Sequence, residues 1–290
     1  MSAPLQPIHA IKADVSQFLR VARERHRRGD DPFRVTEGLS DGIDGIIRQL
    51  FRGILDADQD KVALLAVGGY GRRELCPYSD IDLVFVWDRD RPEAKIEQLV
   101  RLLWDGGFHL GHAVRTPAEC YQYMAENHVT AAALLEHRFL CGSERLYNKY
   151  LGTAINRFRK RRGEAFAREK LEALRDSLDG PGRTIYVLQP HLKDGCCALR
   201  DIQRVLWVES IRHGEGSFDA LRRGDSFEVE DLEALRRAYG FYLRVRCELH
   251  FRNGLKQDIL ERDSLVDVAE NLGYRGDPRT IAERFLADYF

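Results

Sequence analysis

Two aspartates, Asp80 and Asp82, are two positions apart at the start of an apolar segment, and their type and spacing suit metal chemistry. In a β-strand, residues two apart project to the same face, so both carboxylates would point the same way. Adjacent carboxylates repel each other unless a cation lies between them, and such hard oxygen ligands suit Mg²⁺. The pair predicts a magnesium site, with Ile81 pointing into the core; a solvated strand edge is the alternative.

A glycine-rich segment precedes the aspartates. The apolar run from Val62 to Val67 ends in Gly68 and Gly69, and the loop that follows leads to Ser79. Glycines at the end of a strand let the backbone approach a phosphate group, because no Cβ intervenes. Together with the two aspartates, this segment predicts a site for a nucleoside triphosphate and its metal.

Two other nucleotide-binding motifs are not supported. The chain has no GxxxxGK[ST] phosphate loop, and the Rossmann pattern GxGxxG would require a glycine where Glu74 stands. A dehydrogenase is therefore disfavoured.

The arrangement strand, glycine pair, loop, Asp-x-Asp and strand resembles the DNA polymerase β-like nucleotidyltransferase superfamily. The segment from Ala66 to Leu83 is most similar to the N-terminal nucleotidyltransferase region of the bifunctional PII uridylyltransferase/uridylyl-removing enzymes. Further matches follow in order along the chain: Gly111–Thr116, Leu192–Gly195, Leu199–Gln203, Leu243–Arg246 and Leu249-His250.

This resemblance implies a reaction and roles for particular residues. The reaction would be transfer of UMP from UTP to a tyrosine hydroxyl of the PII nitrogen-regulatory protein, with release of pyrophosphate. Asp80 and Asp82 would be the catalytic residues and hold Mg²⁺. The triphosphate would be bound by Gly68, Gly69, Arg72 and Ser79.

Three departures from the family pattern leave alternatives open. The third predicted strand carries no acid, so Glu119 or an acid from the helical half would have to supply a third carboxylate, unless two acids suffice. Cys196-Cys197-Ala198 replaces a glycine pair. The chain stops at Phe290, before the hydrolase and glutamine-sensing domains that follow in the family. A related nucleotidyltransferase with another nucleotide or acceptor, such as an adenylyltransferase, and a non-catalytic nucleotide-binding regulatory module are the alternatives.

The elements that must position this site predict an α+β fold. Strands are expected over Val62–Val67, Ile81–Trp87 and Phe108–Arg115, with a helix from Glu93 to Trp104 and another opened by Thr116-Pro117. Gly29–Pro32 is expected to break a first helix, and a second helix is expected from about Gly38 to Gly53. From about Ala131 onward the pattern is mostly helical, with a non-helical insert over Pro181–Gly195. We predict a polymerase β-like nucleotidyltransferase domain with N-terminal helices over residues 1–150, and a helical domain over residues 151–290.

Composition narrows the class of protein. Hydrophobic residues make up 44% and charged residues 31% of the 290 residues, as in a globular domain. The net charge of −1 disfavours a nucleic-acid partner, and no segment predicts a membrane span. Six scattered cysteines without zinc spacing, and a first segment unlike a signal peptide, predict a cytoplasmic protein with reduced thiols.

Overall fold

A computed structural model of the chain describes residues 8–179, 189–224 and 227–290, which contain α-helices and one β-sheet. The helices are α1 (Ile8–Arg27), α2 (Pro32–Leu55), α3 (Gly68–Gly71), α4 (Glu93–Asp105), α5 (Pro117–Glu126), α6 (His128–Leu135), α7 (Glu144–Tyr150), α8 (Arg157–Asp179), α9 (Leu199–His213), α10 (Phe218–Arg223), α11 (Val229–Asn253), α12 (Leu265–Asn271) and α13 (Pro278–Tyr289). The strands are β1 (Val62–Ala66), β2 (Ile81–Trp87), β3 (Leu110–Arg115) and β4 (Arg138–Gly142). The α+β class is confirmed.

The four strands form one mixed sheet in the order β3-β2-β1-β4. β1 pairs antiparallel with both β2 and β4, whereas β2 pairs parallel with β3 through the crossover helix α4. All five residues of β1 are buried, as is typical of a continuously apolar strand that is covered on both faces. The three predicted strands are therefore confirmed, and β1 and β2 place the glycine pair and the aspartates at neighbouring positions.

The prediction of a mostly helical chain from Ala131 onward was wrong at β4. Arg138–Gly142 is a strand at the edge of the sheet, paired with β1. Its five residues are too few to show a clear period, and the partner strand lies far away in the sequence. The strand ends at Gly142, whose φ of 98° is the left-handed conformation that glycine favours.

The helical predictions mostly agree with the structure. The helix predicted from about Gly38 starts earlier, because Pro32, where a break was expected, begins α2. Thr116 caps α5 with the predicted capping box. Of the non-helical insert predicted over Pro181–Gly195, residues 181–188 lie outside the described residues, and residues 189–195 are non-helical.

The chain divides into two compact units. The first contains residues up to Ala22, Thr36–Leu75 and Ser79–Gly163, and it includes the whole sheet. The second contains Arg23–Val35, Cys76–Tyr78 and the described residues of Glu164–Phe290, which are largely helical. The functional division into residues 1–150 and 151–290 stays a prediction. Within the described ranges, no helix combines the length and apolarity needed to cross a membrane.

Candidate functional site

The two aspartates lie at the start of β2. Asp80 is exposed and directly precedes the strand, whereas Asp82 is its second residue and is partly buried. Ile81 between them is only 3% exposed, which confirms that it points into the core. Its amide donates to the carbonyl of His109 at 2.7 Å, and the Asp82 carbonyl accepts from the amide of Val67 at 3.0 Å. The backbone that carries both acids is thus held by neighbouring segments.

The glycine pair lies beside Asp82. Gly68 begins the four-residue helix α3 with a φ of 61°, a conformation that side chains disfavour. A Cβ at Gly68 would lie 3.7 Å from Oδ2 of Asp82. The structure therefore brings together two of the features that the sequence singled out.

An ion pair between the buried Asp44 and Arg138 contacts α3. The side chain of Asp44 in α2 is 1% exposed and accepts hydrogen bonds from the Tyr70 hydroxyl at 2.6 Å and from Arg138 Nη2 at 3.0 Å. Arg138, in β4, also donates to the carbonyls of Tyr70 and Gly71. Burial, then the charge of Asp44 and the hydrogen bond to it, raise the pKa of Tyr70 well above its ordinary value. Tyr70 is therefore a neutral hydrogen-bond donor that anchors the helix.

Arg72 lies next to the glycine pair but is paired with carboxylates. Its Nε is 2.6 Å from Glu74 and its Nη1 is 2.5 Å from Glu136, and only 15% of the side chain is exposed. Its Nη2 lies 3.7 Å from where a Cβ of Gly69 would be. The guanidinium is thus close to the predicted phosphate site, and its role toward phosphate stays a prediction.

Ser79 is the last predicted binding residue. Its hydroxyl oxygen is buried, and in the described part of the chain it has no hydrogen-bond partner. A buried hydroxyl without a partner is costly, so such groups often mark the place of a ligand or a water. This feature fits a site that binds a polar ligand beside Asp80.

The donor set near Asp82 fits Mg²⁺ with few protein ligands. No cluster of three or more His, Cys, Asp or Glu side chains that could hold a metal occurs among the described residues. Mg²⁺ commonly binds one or two carboxylates and completes its shell with waters and substrate phosphates. Glu119 is committed elsewhere: its carboxylate accepts from the amide and hydroxyl of Thr116, and these bonds, the backbone one first, lower its pKa.

The later sequence matches form two local structures in the second unit. The carboxylate of Asp201, in α9, accepts from the amide of Cys197 at 2.9 Å and from the Ser177 hydroxyl at 2.8 Å. Cys197 has a φ of 59°, which explains why a glycine suits this position. The departure is visible in the sequence, whereas its conformational cause is visible only in the backbone.

The second local structure holds the segment Cys76–Tyr78. His250 hydrogen-bonds to the carbonyl of Pro77, and Arg246 Nη1 lies 3.7 Å from Cys76 Sγ while its Nε lies 2.5 Å from Asp258. A hydrogen bond from Cys247, and then the charges of Arg246 and His250, lower the pKa of Cys76 to about 6. Arg246 and His250 are therefore packing and ion-pairing residues of the second unit.

The sequence analysis did not identify the residues that support the predicted site. Asp44 of α2, Arg138 of β4 and Glu136, which directly follows α6, contact the glycine segment. No local pattern marks these three residues, because each is defined by a contact far along the chain.

Comparisons with known proteins agree with the resemblance. The family described as GlnD PII-uridylyltransferase matches residues 165–290. A bifunctional uridylyltransferase/uridylyl-removing enzyme of Phenylobacterium zucineum is 33% identical over 287 residues, which cover 93% of this chain and 30% of that protein. A protein of the same name from Cereibacter sphaeroides is 35% identical over 100% of this chain and 33% of its own length. One from Pseudomonas aeruginosa is 32% identical over 98% of this chain and 32% of its own length. The chain thus spans about a third of the length of these relatives.

Proposed function

We propose that this chain transfers a uridylyl group. Nearly its whole length is similar to a region that makes up about a third of each bifunctional uridylyltransferase/uridylyl-removing enzyme. The reaction would be transfer of UMP from UTP to a tyrosine hydroxyl of a PII protein, with release of pyrophosphate. The observation that carries this proposal is that the Asp82 carboxylate, in β2, lies beside Gly68, which closely follows β1. The names of the relatives support uridylyl transfer, and the family description supports PII as the acceptor.

In this proposal, residues Val62–Trp87 form a nucleotidyltransferase core of the polymerase β-like kind. The carboxylates of Asp80 and Asp82 would hold Mg²⁺, whose charge would offset that of the triphosphate and the departing pyrophosphate. Gly68 and Gly69 leave room for phosphate oxygens against the backbone, and the buried Ser79 hydroxyl would donate to one of them. The site would hold the α-phosphorus in line between the acceptor hydroxyl and the leaving group.

Phosphate and metal ligands do not distinguish one base from another, so the choice of UTP rests on the names of the relatives. An adenylyltransferase would use the same groups around the triphosphate. The experiment that tests the proposal therefore compares two nucleotides.

The test incubates the chain with Mg²⁺, a PII protein, and UTP or ATP carrying a radioactive α-phosphate. We expect label on PII from UTP, and none from UTP with the variant Asp80→Ala/Asp82→Ala. The matched control is Asp88→Ala/Asp90→Ala, which removes two aspartates with the same spacing just after β2 and should keep the activity.

Label from ATP alone would keep the chemistry and overturn the choice of UTP. Binding of either nucleotide without transfer would support a regulatory nucleotide-binding module instead. Equal activity of the wild type and the Asp80→Ala/Asp82→Ala variant would overturn the proposed metal site.

A further inference from the structure

Gly111 lies directly beside Asp82 in the sheet. It is the second residue of β3, and the parallel pairing of β2 with β3 sets Asp82 opposite Gly111. Residues that are paired across neighbouring strands have side chains on the same face of the sheet. The position of Gly111 therefore bears directly on the Asp82 side chain.

The Asp82 carboxylate occupies the space that a side chain at position 111 would fill. A Cβ on Gly111 would come closer to Oδ1 of Asp82 than 3.0 Å, a separation that Cβ atoms essentially never go below. The other carboxylate oxygen, Oδ2, faces Gly68, where a Cβ would lie 3.7 Å away. The carboxylate thus lies between two positions that have no side chain.

The atom nearest to Gly111 differs in kind from those nearest to two other tightly packed glycines of the sheet region, Gly71 and Gly142. At Gly71 and Gly142 the obstructing atom is a backbone oxygen, which cannot move without moving the chain. At Gly111 it is the end of an aspartate side chain, which can rotate away about two single bonds. A methyl group at position 111 would therefore move the carboxylate and leave the strand in place.

We infer that Gly111 is a positioning residue for Asp82: the absent Cβ lets the carboxylate lie over β3, where it can bind the metal. This inference rests on the proposed function, in which Asp82 binds Mg²⁺. Residues that orient a metal ligand are often nearly as important as the ligand itself, and their substitution commonly lowers metal affinity by about 10- to 100-fold.

The test measures binding of Mn²⁺, a paramagnetic substitute for Mg²⁺, by electron paramagnetic resonance in the presence of UTP. We expect the Gly111→Ala variant to bind Mn²⁺ at least about tenfold more weakly than the wild type. Its unfolding in urea should stay close to that of the wild type. The matched control is Gly45→Ala, which adds the same methyl group in α2 where no described atom beyond its two chain neighbours and the backbone of its own helix lies within 4 Å.

A double-mutant cycle separates positioning from a general structural effect. Gly111→Ala should weaken Mn²⁺ binding when Asp82 is present and have no further effect in an Asp82→Ala background, because the displaced group is then absent. Equal losses in both backgrounds, or no loss in either, would overturn the inference.

A crystal structure of the Gly111→Ala variant supplies a readout that does not depend on metal binding. A displaced Asp82 carboxylate is the expected result, and an unmoved carboxylate would overturn the inference. If the wild type binds no Mn²⁺, or if Asp82→Ala binds it equally well, the proposed function fails, whereas the carboxylate position still decides whether Gly111 controls Asp82.

Discussion

Two glycines lie beside the Asp82 side chain, and a serine with a buried hydroxyl precedes it by three residues in the chain. Gly68 has a positive φ, and Gly111 leaves space for the carboxylate. Ser79 contributes a buried hydroxyl without a partner among the described residues. A buried hydroxyl without a partner costs free energy, and a missing side chain at Gly111 gives up packing; such local costs concentrate at functional sites. The same argument applies to Cys197, but there the feature is a cost without a visible use.

Replacing Cys197 with glycine should stabilise the chain. Cys197 has a φ of 59°, and a left-handed conformation costs a non-glycine residue about 1–2 kcal/mol. Part of this gain is offset because glycine is more flexible in the unfolded chain, so we expect Cys197→Gly to raise the free energy of unfolding by about 1 kcal/mol. Urea denaturation would measure the change.

The adjacent cysteine supplies the control. Cys196 lies outside the left-handed region, so Cys196→Gly should lower the free energy of unfolding. If both variants were destabilised equally, the conformational explanation of the Cys197 position would be incorrect.

The short helix α3 takes its position from elements on both sides. Asp44 of α2 and Arg138 of β4 bond to Tyr70 and to the helix carbonyls, and the amide of Arg72, which follows the helix, donates to the carbonyl of Gly68. The pairing of β4 with β1 brings Arg138 to this place, since Arg138 is opposite Ala66. The edge strand that the sequence analysis missed therefore supports the helix that carries the glycine pair.

Gly71 should tolerate no side chain, in contrast to Gly45, an exposed glycine of α2. A Cβ at Gly71 would collide with the backbone oxygen of Glu136 and reach 3.0 Å from that of Ala66, so the end of α6 or the end of β1 would have to move. We expect Gly71→Ala to lower the free energy of unfolding by about 3 kcal/mol. Urea denaturation would measure this effect.

The comparison for Gly71 is again Gly45→Ala, which should be neutral or slightly stabilising because alanine favours a helix. Similar stability of the wild type and Gly71→Ala would show that α3 can shift without loss, and that the site is less rigidly held than the contacts indicate.

At the level of the whole chain, the family match and the predicted nucleotide site lie in different regions. The family description covers residues 165–290, whereas the glycine pair and the aspartates lie in residues 68–82. The similarity to the relatives covers 93% or more of the chain and so includes both regions. These relatives therefore connect the uridylyltransferase name with the Asp80 and Asp82 segment.

Global stability should fall in mild acid because of one histidine. Burial lowers the pKa of His137 to about 4, and its ring packs against Tyr147 and Tyr150. An unfolded histidine has a pKa of about 6.5, so below that pH the unfolded chain binds a proton that the native state does not accept. The free energy of unfolding is therefore not reduced by His137 above pH 6.5. As the pH falls from 6.5 toward 4, it decreases by up to about 1.4 kcal/mol per pH unit.

The variant His137→Phe removes the group that takes up the proton and keeps an aromatic ring. The Leu134 carbonyl, which loses its hydrogen bond to His137, still accepts one from the Tyr150 hydroxyl. Urea unfolding at pH 7.5 and 4.5 should show a loss about 2 kcal/mol smaller for the variant than for the wild type. His109→Phe, at an exposed position, is the control and should lose as much as the wild type. Identical losses in all three proteins would exclude His137 as the source.

Features that depend on residues close together in the chain were determined by the sequence alone. The buried run of β1, the strand of β2 with Ile81 turned inward, and the capping box at Thr116 each depend on neighbours within a few residues. Tertiary structure alone decided four other features: the pairing of Arg72 with Glu136, the hydrogen bonds to Asp44, the strand β4, and the packing of the Asp82 carboxylate over Gly111. Their partners lie far apart along the chain, and no local periodicity records which distant residues will meet.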